Sequence, residues 1–226
     1  LSWRFSLFFL ATIPLITGLA ALYYLHGEPA GEITVTETSR GSLLSDIVSS
    51  LRVKGAIFVL VAQSFIVGGT GMGVLITWVP QFLQDPLKGL GLGIVEAGAI
   101  GAISTVGGAI GTIIVGHLAD RFGHLRMAMA CISSTIVMVY LLTLYRSFTP
   151  ILVVHLFALG VTTYSITSIL QAHLAAISTS VHRDLLLGLY FTFGFGVSSL
   201  WSTVMGRLID TYSFAAVWTM MSLLGL

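Results

Sequence analysis

One acid, two arginines, two histidines and two glycines fall within the eleven residues Gly116-His-Leu-Ala-Asp-Arg-Phe-Gly-His-Leu-Arg126, in a chain where only 8% of residues are charged. At a helix end Asp120 can accept amide or guanidinium hydrogens, and Arg121 can reach a phosphate or a carboxylate across a membrane surface. Gly116 would let its helix approach another closely. The plainer alternative is an interfacial turn whose arginines simply hold the loop on one side of a bilayer. His117 and His124 stand seven residues apart and meet only if the turn folds them together, so a metal site is not expected. The single cysteine, Cys131, rules out an intrachain disulfide or a cysteine-built metal centre. No glycine cluster is followed by the Lys-Ser or Lys-Thr pair of a phosphate cradle. No hydroxyl has an acid and a base placed beside it, so neither a catalytic residue nor a cofactor is expected.

The elements that must position this stretch are apolar. Hydrophobic residues make up 56% of the chain and its mean hydropathy is +0.99. Apolar runs repeatedly pass about eighteen residues, the signature of an all-α, polytopic membrane protein. A net charge of +1 gives no field that would hold nucleic acid. The runs predict spans over 5–25, 54–80, 94–117, 127–144, 150–170 and 185–205, with a seventh beginning near 212. A polar linker over 26–40 and a short amphipathic helix over 42–52 separate the first two. Local unwinding or tight packing is expected at Gly68-Gly-Thr-Gly-Met-Gly73. Thr149 before Pro150 reads as a capped helix start. The chain opens on Leu and stops inside an apolar run, so it reads as a piece of a longer protein.

Polar or aromatic groups inside these runs are candidates for lining a passage: Thr70, Thr77 and Trp78, then His155, Thr162 and Tyr164, then Tyr190 and Trp201. With seven crossings, Arg40, Arg52, Lys54, Arg121, Arg126 and Arg183 lie on one side, against Arg4, Lys88, Arg146 and Arg207 on the other. That excess puts 117–126 on the cytoplasmic face of a cell membrane.

Gly116-x-x-x-Asp120-Arg121-x-Gly123-His124-x-Arg126 resembles the signature loop of the major facilitator superfamily of secondary transporters. Trp3-Arg4 ahead of a span containing Pro14 is similar to the start of that family's sixth helix. Arg183 followed by Gly188 resembles the entrance to its eleventh, and Gly206 with Asp210 the opening of its last. Leu125 departs from the pattern, since many members carry a basic residue there.

The resemblance implies that 1–27 is the last helix of an amino-terminal half and 28–53 a cytoplasmic linker with an amphipathic helix. Residues 54–226 would be a six-helix carboxy-terminal bundle with its last helix cut short. Two halves would rock about a central route and carry a small molecule by alternating access, for uptake or efflux, as a monomer in the bilayer. The loop would close the inner gate. In this sequence Arg121 or Arg126 is expected to meet Asp184, beside Arg183, or the amino end of the span over 185–205. Protons are the expected coupling ion, with Glu96 and His155 as the local candidates. A receptor or scaffold that keeps the fold without transporting is the main alternative, and a membrane-embedded enzyme a weaker one.

Overall fold

The computed structural model describes residues 3–25 and 43–225, so the polar linker expected over 26–40 lies outside the described residues. The chain divides into two units, Leu1–Ser42 and Leu43–Leu226. In the first, α1 (Trp3–Leu25) is a single helix with Pro14 inside it. Its 23 residues rise about 35 Å at 1.5 Å each, and Pro14–Tyr24 within it is apolar.

The second unit is helical throughout its described secondary structure. It opens with the short amphipathic α2 (Leu43–Leu51). Five stretches among the described residues are long and apolar enough to cross a membrane: Ala56–Gln84, Ile94–Phe122, His124–Leu144, Pro150–Ile177 and His182–Thr211. They take in α3 (Ala56–Val61), α4 (Val79–Gln84), α5 (Ile94–Phe122), α6 (His124–Leu141), α7 (Pro150–Ile177) and all but the first two residues of α8 (Ser180–Thr211), and α9 (Phe214–Leu224) follows.

Several boundaries differ from the sequence reading for one physical reason. Apolarity ends at the membrane surface, but the helical hydrogen-bond ladder continues until the backbone itself is broken. Most of 116–126, expected as a turn, is therefore helix: α5 runs to Phe122 and α6 restarts at His124. The polar stretch from Gln171 to Asp184 reads as a connection, yet only Ser178 and Thr179 separate α7 from α8. The first long span is both loosened and tightly packed at Gly68–Gly73, where a Cβ on Gly68 would stand 3.1 Å from the Gly194 carbonyl oxygen of α8. Its turns widen to the π form over Ala62–Gly71 and Val74–Trp78, and Pro80 sits in the first turn of α4 instead of ending the helix. Pro150 does occupy the first turn of α7, but the Thr149 side chain makes no capping bond.

The buried side chains form two clusters. One gathers Trp78, Phe82, Leu142, Leu156, Phe214 and Trp218, and the other gathers Leu60, Val115, Ala128, Ile166, Leu174 and Tyr190. Between them α5 and α7 meet along a glycine seam, where a Cβ on Gly107 would stand 2.2 Å from the Phe157 carbonyl oxygen. Side chains pointing away from the bundle, such as Ile113, Ile114, Val137 and Val154, are exposed and apolar, as a lipid-facing surface requires.

The α4–α5 loop is held by two charged groups. The Asp85 carboxylate accepts the Leu87 and Lys88 amides at 2.8 and 2.9 Å. Lys88 Nζ donates to the carbonyls of Ile209 and Asp210, the latter at 2.8 Å, at the negative end of α8. The two amide bonds hold the Asp85 carboxyl below its ordinary value of 3.8. A lowered folded-state value contributes stability that is complete above the ordinary value and drains away as pH falls through the lowered one. The difference in Tm between the protein and its Asp85→Ala variant is thus expected to narrow below about pH 3.8 in detergent thermal melts. A gap that stays constant from pH 6 down to about pH 3 would show that the carboxylate contributes nothing to the loop.

Candidate functional site

The junction of α5 and α6 is built around one glycine. Gly123 has φ +97°, where an L side chain is strained, and its N–H still closes the last turn of α5 on Ala119 at 2.8 Å. The Met127 N–H then bonds back to the Gly123 carbonyl at 3.2 Å and starts α6. Val115, Ala119 and Ala128 turn inward and anchor the junction in the second cluster. The same helical period turns Asp120, Arg121 and Arg126 outward, and all three are exposed.

Among the described residues, the ion pair at this junction is His124 Nε2 to Asp120 Oδ1 at 3.6 Å. The Arg121 guanidinium carbon lies 5.6 Å from the centre of the adjacent Phe122 ring. His117 Nδ1 donates to the Ile113 carbonyl at 3.3 Å, so the two histidines make separate contacts. A Cβ on Gly116 would meet nothing within 4 Å, so no helix of this unit approaches it closely. Arg183 and Asp184 are exposed near the start of α8, and no ion pair joins Asp184 to Arg121 or Arg126 among the described residues.

The eight candidate passage residues separate into three sorts. Thr70, Trp78 and Tyr190 are buried between helices: Thr70 donates to the Met221 carbonyl at 3.0 Å, and the Tyr190 hydroxyl to the Thr167 carbonyl at 3.1 Å. Thr162 and His155 join α6 to α7. Thr162 accepts from Thr135 at 2.9 Å and donates to the Leu159 carbonyl. His155 Nε2 lies 2.9 Å from the Met138 carbonyl, which can only accept, so Nε2 carries the hydrogen and Nδ1 accepts from the Tyr145 hydroxyl at 3.0 Å. Burial pushes the Tyr145 phenol up. Thr77 is exposed, Trp201 and Tyr164 are half-buried, and Tyr164 lies against the Gly108 position of α5. Glu96 stands exposed in the first turn of α5.

Two polar residues went unmarked in the sequence. Gln63 is buried in the α3–α4 stretch, packed against Gly194 of α8, and its Oε1 has no hydrogen-bond partner. A lone amide in an apolar run was the available signal. Trp201, near it on the same helix pair, packs on Gly69 and meets Phe65 edge to face at 5.8 Å, with its indole N–H also unpartnered. The second is Ser50, fully buried, whose hydroxyl lies 3.0 Å from His182 Nδ1 and pins α2 to the start of α8. Nothing in the sequence signals a contact between residues so far apart. No group of three or more His, Cys, Asp or Glu able to hold a metal occurs among the described residues.

No curated protein and no solved structure matches the chain. The family model described as Major Facilitator Superfamily matches residues 86–226, which takes in the α4–α5 loop, the glycine-broken junction and every helix after it. With its all-helical spans and this match over more than half its length, the chain belongs to the major facilitator superfamily, whose members carry small solutes across membranes.

Proposed function

We propose that this chain supplies the last helix of the amino-terminal half, over 1–27, the linker over 28–53 and the carboxy-terminal half of a secondary transporter. The transporter moves a small molecule by alternating access in the cell membrane, as a monomer, and the 117–126 junction faces the cytoplasm. The observation that carries this reading is the exposed constellation of Asp120, Arg121 and Arg126, whose ion pair among the described residues is the one with His124. Charges held outward on a glycine-broken corner are suited to a partner that comes and goes, as a gate demands. Asp184, exposed at the start of α8, is the proposed partner on this half. Thr77 is the best placed of the passage candidates, because its side chain is exposed, while the other seven pack or hydrogen-bond between helices.

Protons are the proposed coupling ion. Of the two local candidates Glu96 suits the role better, since both ring nitrogens of His155 are engaged. Uptake and efflux by the full-length protein in proteoliposomes, over a panel of sugars, organic acids and drugs, tests the reading. An imposed proton gradient is expected to accelerate transport, and Glu96→Gln to abolish that acceleration while exchange down a substrate gradient persists. Acceleration that survives in Glu96→Gln removes this residue from coupling. Saturable substrate binding with no flux under any gradient would favour a receptor.

A further inference from the structure

The end of the bundle away from the 117–126 junction carries two adjoining hollows, bordered by only one of the residues weighed for transport, His155. The first, of about 190 Å³, lies between the α4–α5 loop, the connection from α6 to α7 and the turn before α9. Phe82, Phe214 and Trp218 give it an aromatic wall, with Phe82 meeting Trp218 edge to face at 5.8 Å. Lys88 and Arg146 are among its lining residues and no carboxylate is. Lys88 spends two of its three hydrogens on the Ile209 and Asp210 carbonyls, and Arg146 has no hydrogen-bond or ion-pair partner among the described residues.

The second hollow, of about 430 Å³, shares Tyr145 and Arg146 with the first and continues over Leu141, Leu144 and Ile151. Leu144 and Ile151 are 69% and 70% exposed, so this groove opens on the apolar surface of the bundle. It too contains no acid, and its bordering Thr149 hydroxyl caps nothing at the positive end of α7.

A cationic hollow that opens sideways into an apolar groove has the two-part chemistry of an amphiphilic anion. We propose that this end of the bundle binds a single-chain amphiphilic carboxylate, of the fatty-acid class. Its carboxylate sits against Arg146 and the free Lys88 hydrogen, and its alkyl chain lies along Leu141, Leu144 and Ile151. Arg is the apt residue, since its planar fork holds a carboxylate through two parallel bonds. A groove bounded by three aliphatic side chains accommodates one chain in preference to two. The proposal does not rest on the transport reading.

Scintillation-proximity binding of radiolabelled dodecanoate to the full-length protein in maltoside detergent tests it. Saturable binding is expected, weakened about tenfold or more by Arg146→Gln, the loss typical of a charged hydrogen bond, and partly kept by Arg146→Lys. Arg207→Gln, an exposed arginine that lines neither hollow, is expected to bind as the parent does. Butyrate lacks the chain and dodecanol the charge, so neither is expected to compete at dodecanoate's concentrations. Thermal melts of Arg146→Gln that match the parent separate loss of binding from loss of fold. Undiminished binding by Arg146→Gln, no saturable binding at all, or equal competition by dodecanol would overturn the proposal. Displacement by phosphatidylglycerol below the concentration at which unlabelled dodecanoate displaces would hand the site to two-chain membrane lipid and overturn it as well.

Discussion

Gly160→Ala is expected to force α5 and α7 apart and to lower the Tm sharply. A Cβ at Gly160 would stand 1.9 Å from the Ser104 carbonyl oxygen and 2.9 Å from its Cα. Both obstacles are backbone, so no rotamer change relieves them and the helices must separate. The same seam carries Gly107 against Phe157 and Gly111 against Val161, with the Val161 Cα and carbonyl oxygen each 2.6 Å from a Cβ at Gly111. Separation at Gly160 therefore loosens contacts along several turns. Overpacking of a close-packed contact costs about 1–3 kcal/mol, and a backbone clash of this depth falls at the upper end or beyond. That is a large share of a stability of about 5–15 kcal/mol.

Gly98 and Gly116 lie on the same helix with nothing within 4 Å of their would-be Cβ atoms. Alanine at either is expected to be neutral or to stabilise α5 by up to about 1 kcal/mol through helix propensity. Fluorescence size-exclusion after graded heating reads all three variants. Gly160→Ala surviving as well as Gly98→Ala would mean that the seam is not a close contact.

Asp120→Asn is expected to leave the protein inserted and folded but to cut transport about tenfold or more, if the gate makes one charged hydrogen bond through this carboxylate. The two halves of that expectation have different origins. The Asp120 side chain is 78% exposed and its ion pair with His124 is 3.6 Å long, so solvent screening leaves it worth no more than a fraction of a kcal/mol. Asp120 also sits in the last turn of α5, where the helix dipole disfavours a negative charge, so the amide is not expected to lower the Tm. A deep loss of flux with an unchanged melt would therefore trace to a contact made outside this bundle or in another state. Transport by Asp120→Asn at the parental rate in proteoliposomes would falsify the gate assignment.

How far the sequence could be read varied with the interaction involved. Spans followed from apolar run length, because a bilayer imposes one thickness on every crossing. Helix ends did not, because they depend on where the backbone breaks. The sequence marks Gly123 as part of the charged stretch, but only its φ of +97° makes it the single point at which α5 stops and α6 begins. Gln171 to Asp184 has the polarity of a loop, yet polar residues continue a helix readily beyond the lipid.

The candidate site divides along the same line. The Gly116–Arg126 residues were legible because several charges and glycines are close together in an apolar chain, and their outward display follows from helical period. The facing of Thr70, Thr162, His155 and Tyr190 was not legible. Each is a polar group in an apolar run, and whether such a group lines a passage or ties two helices depends on a neighbour many residues away.

By itself, then, the sequence determined that the chain crosses a membrane several times, the order of the five long spans and the superfamily, because these rest on composition and on local spacing. The tertiary structure alone decided that α5 and α7 touch through bare backbone at Gly107, Gly111 and Gly160. It alone brought Ser50 to His182, and Arg146 to the hollow shared with Lys88. Those contacts join positions distant in the chain, and packing, which has no signature in a single sequence, is the force that selects them.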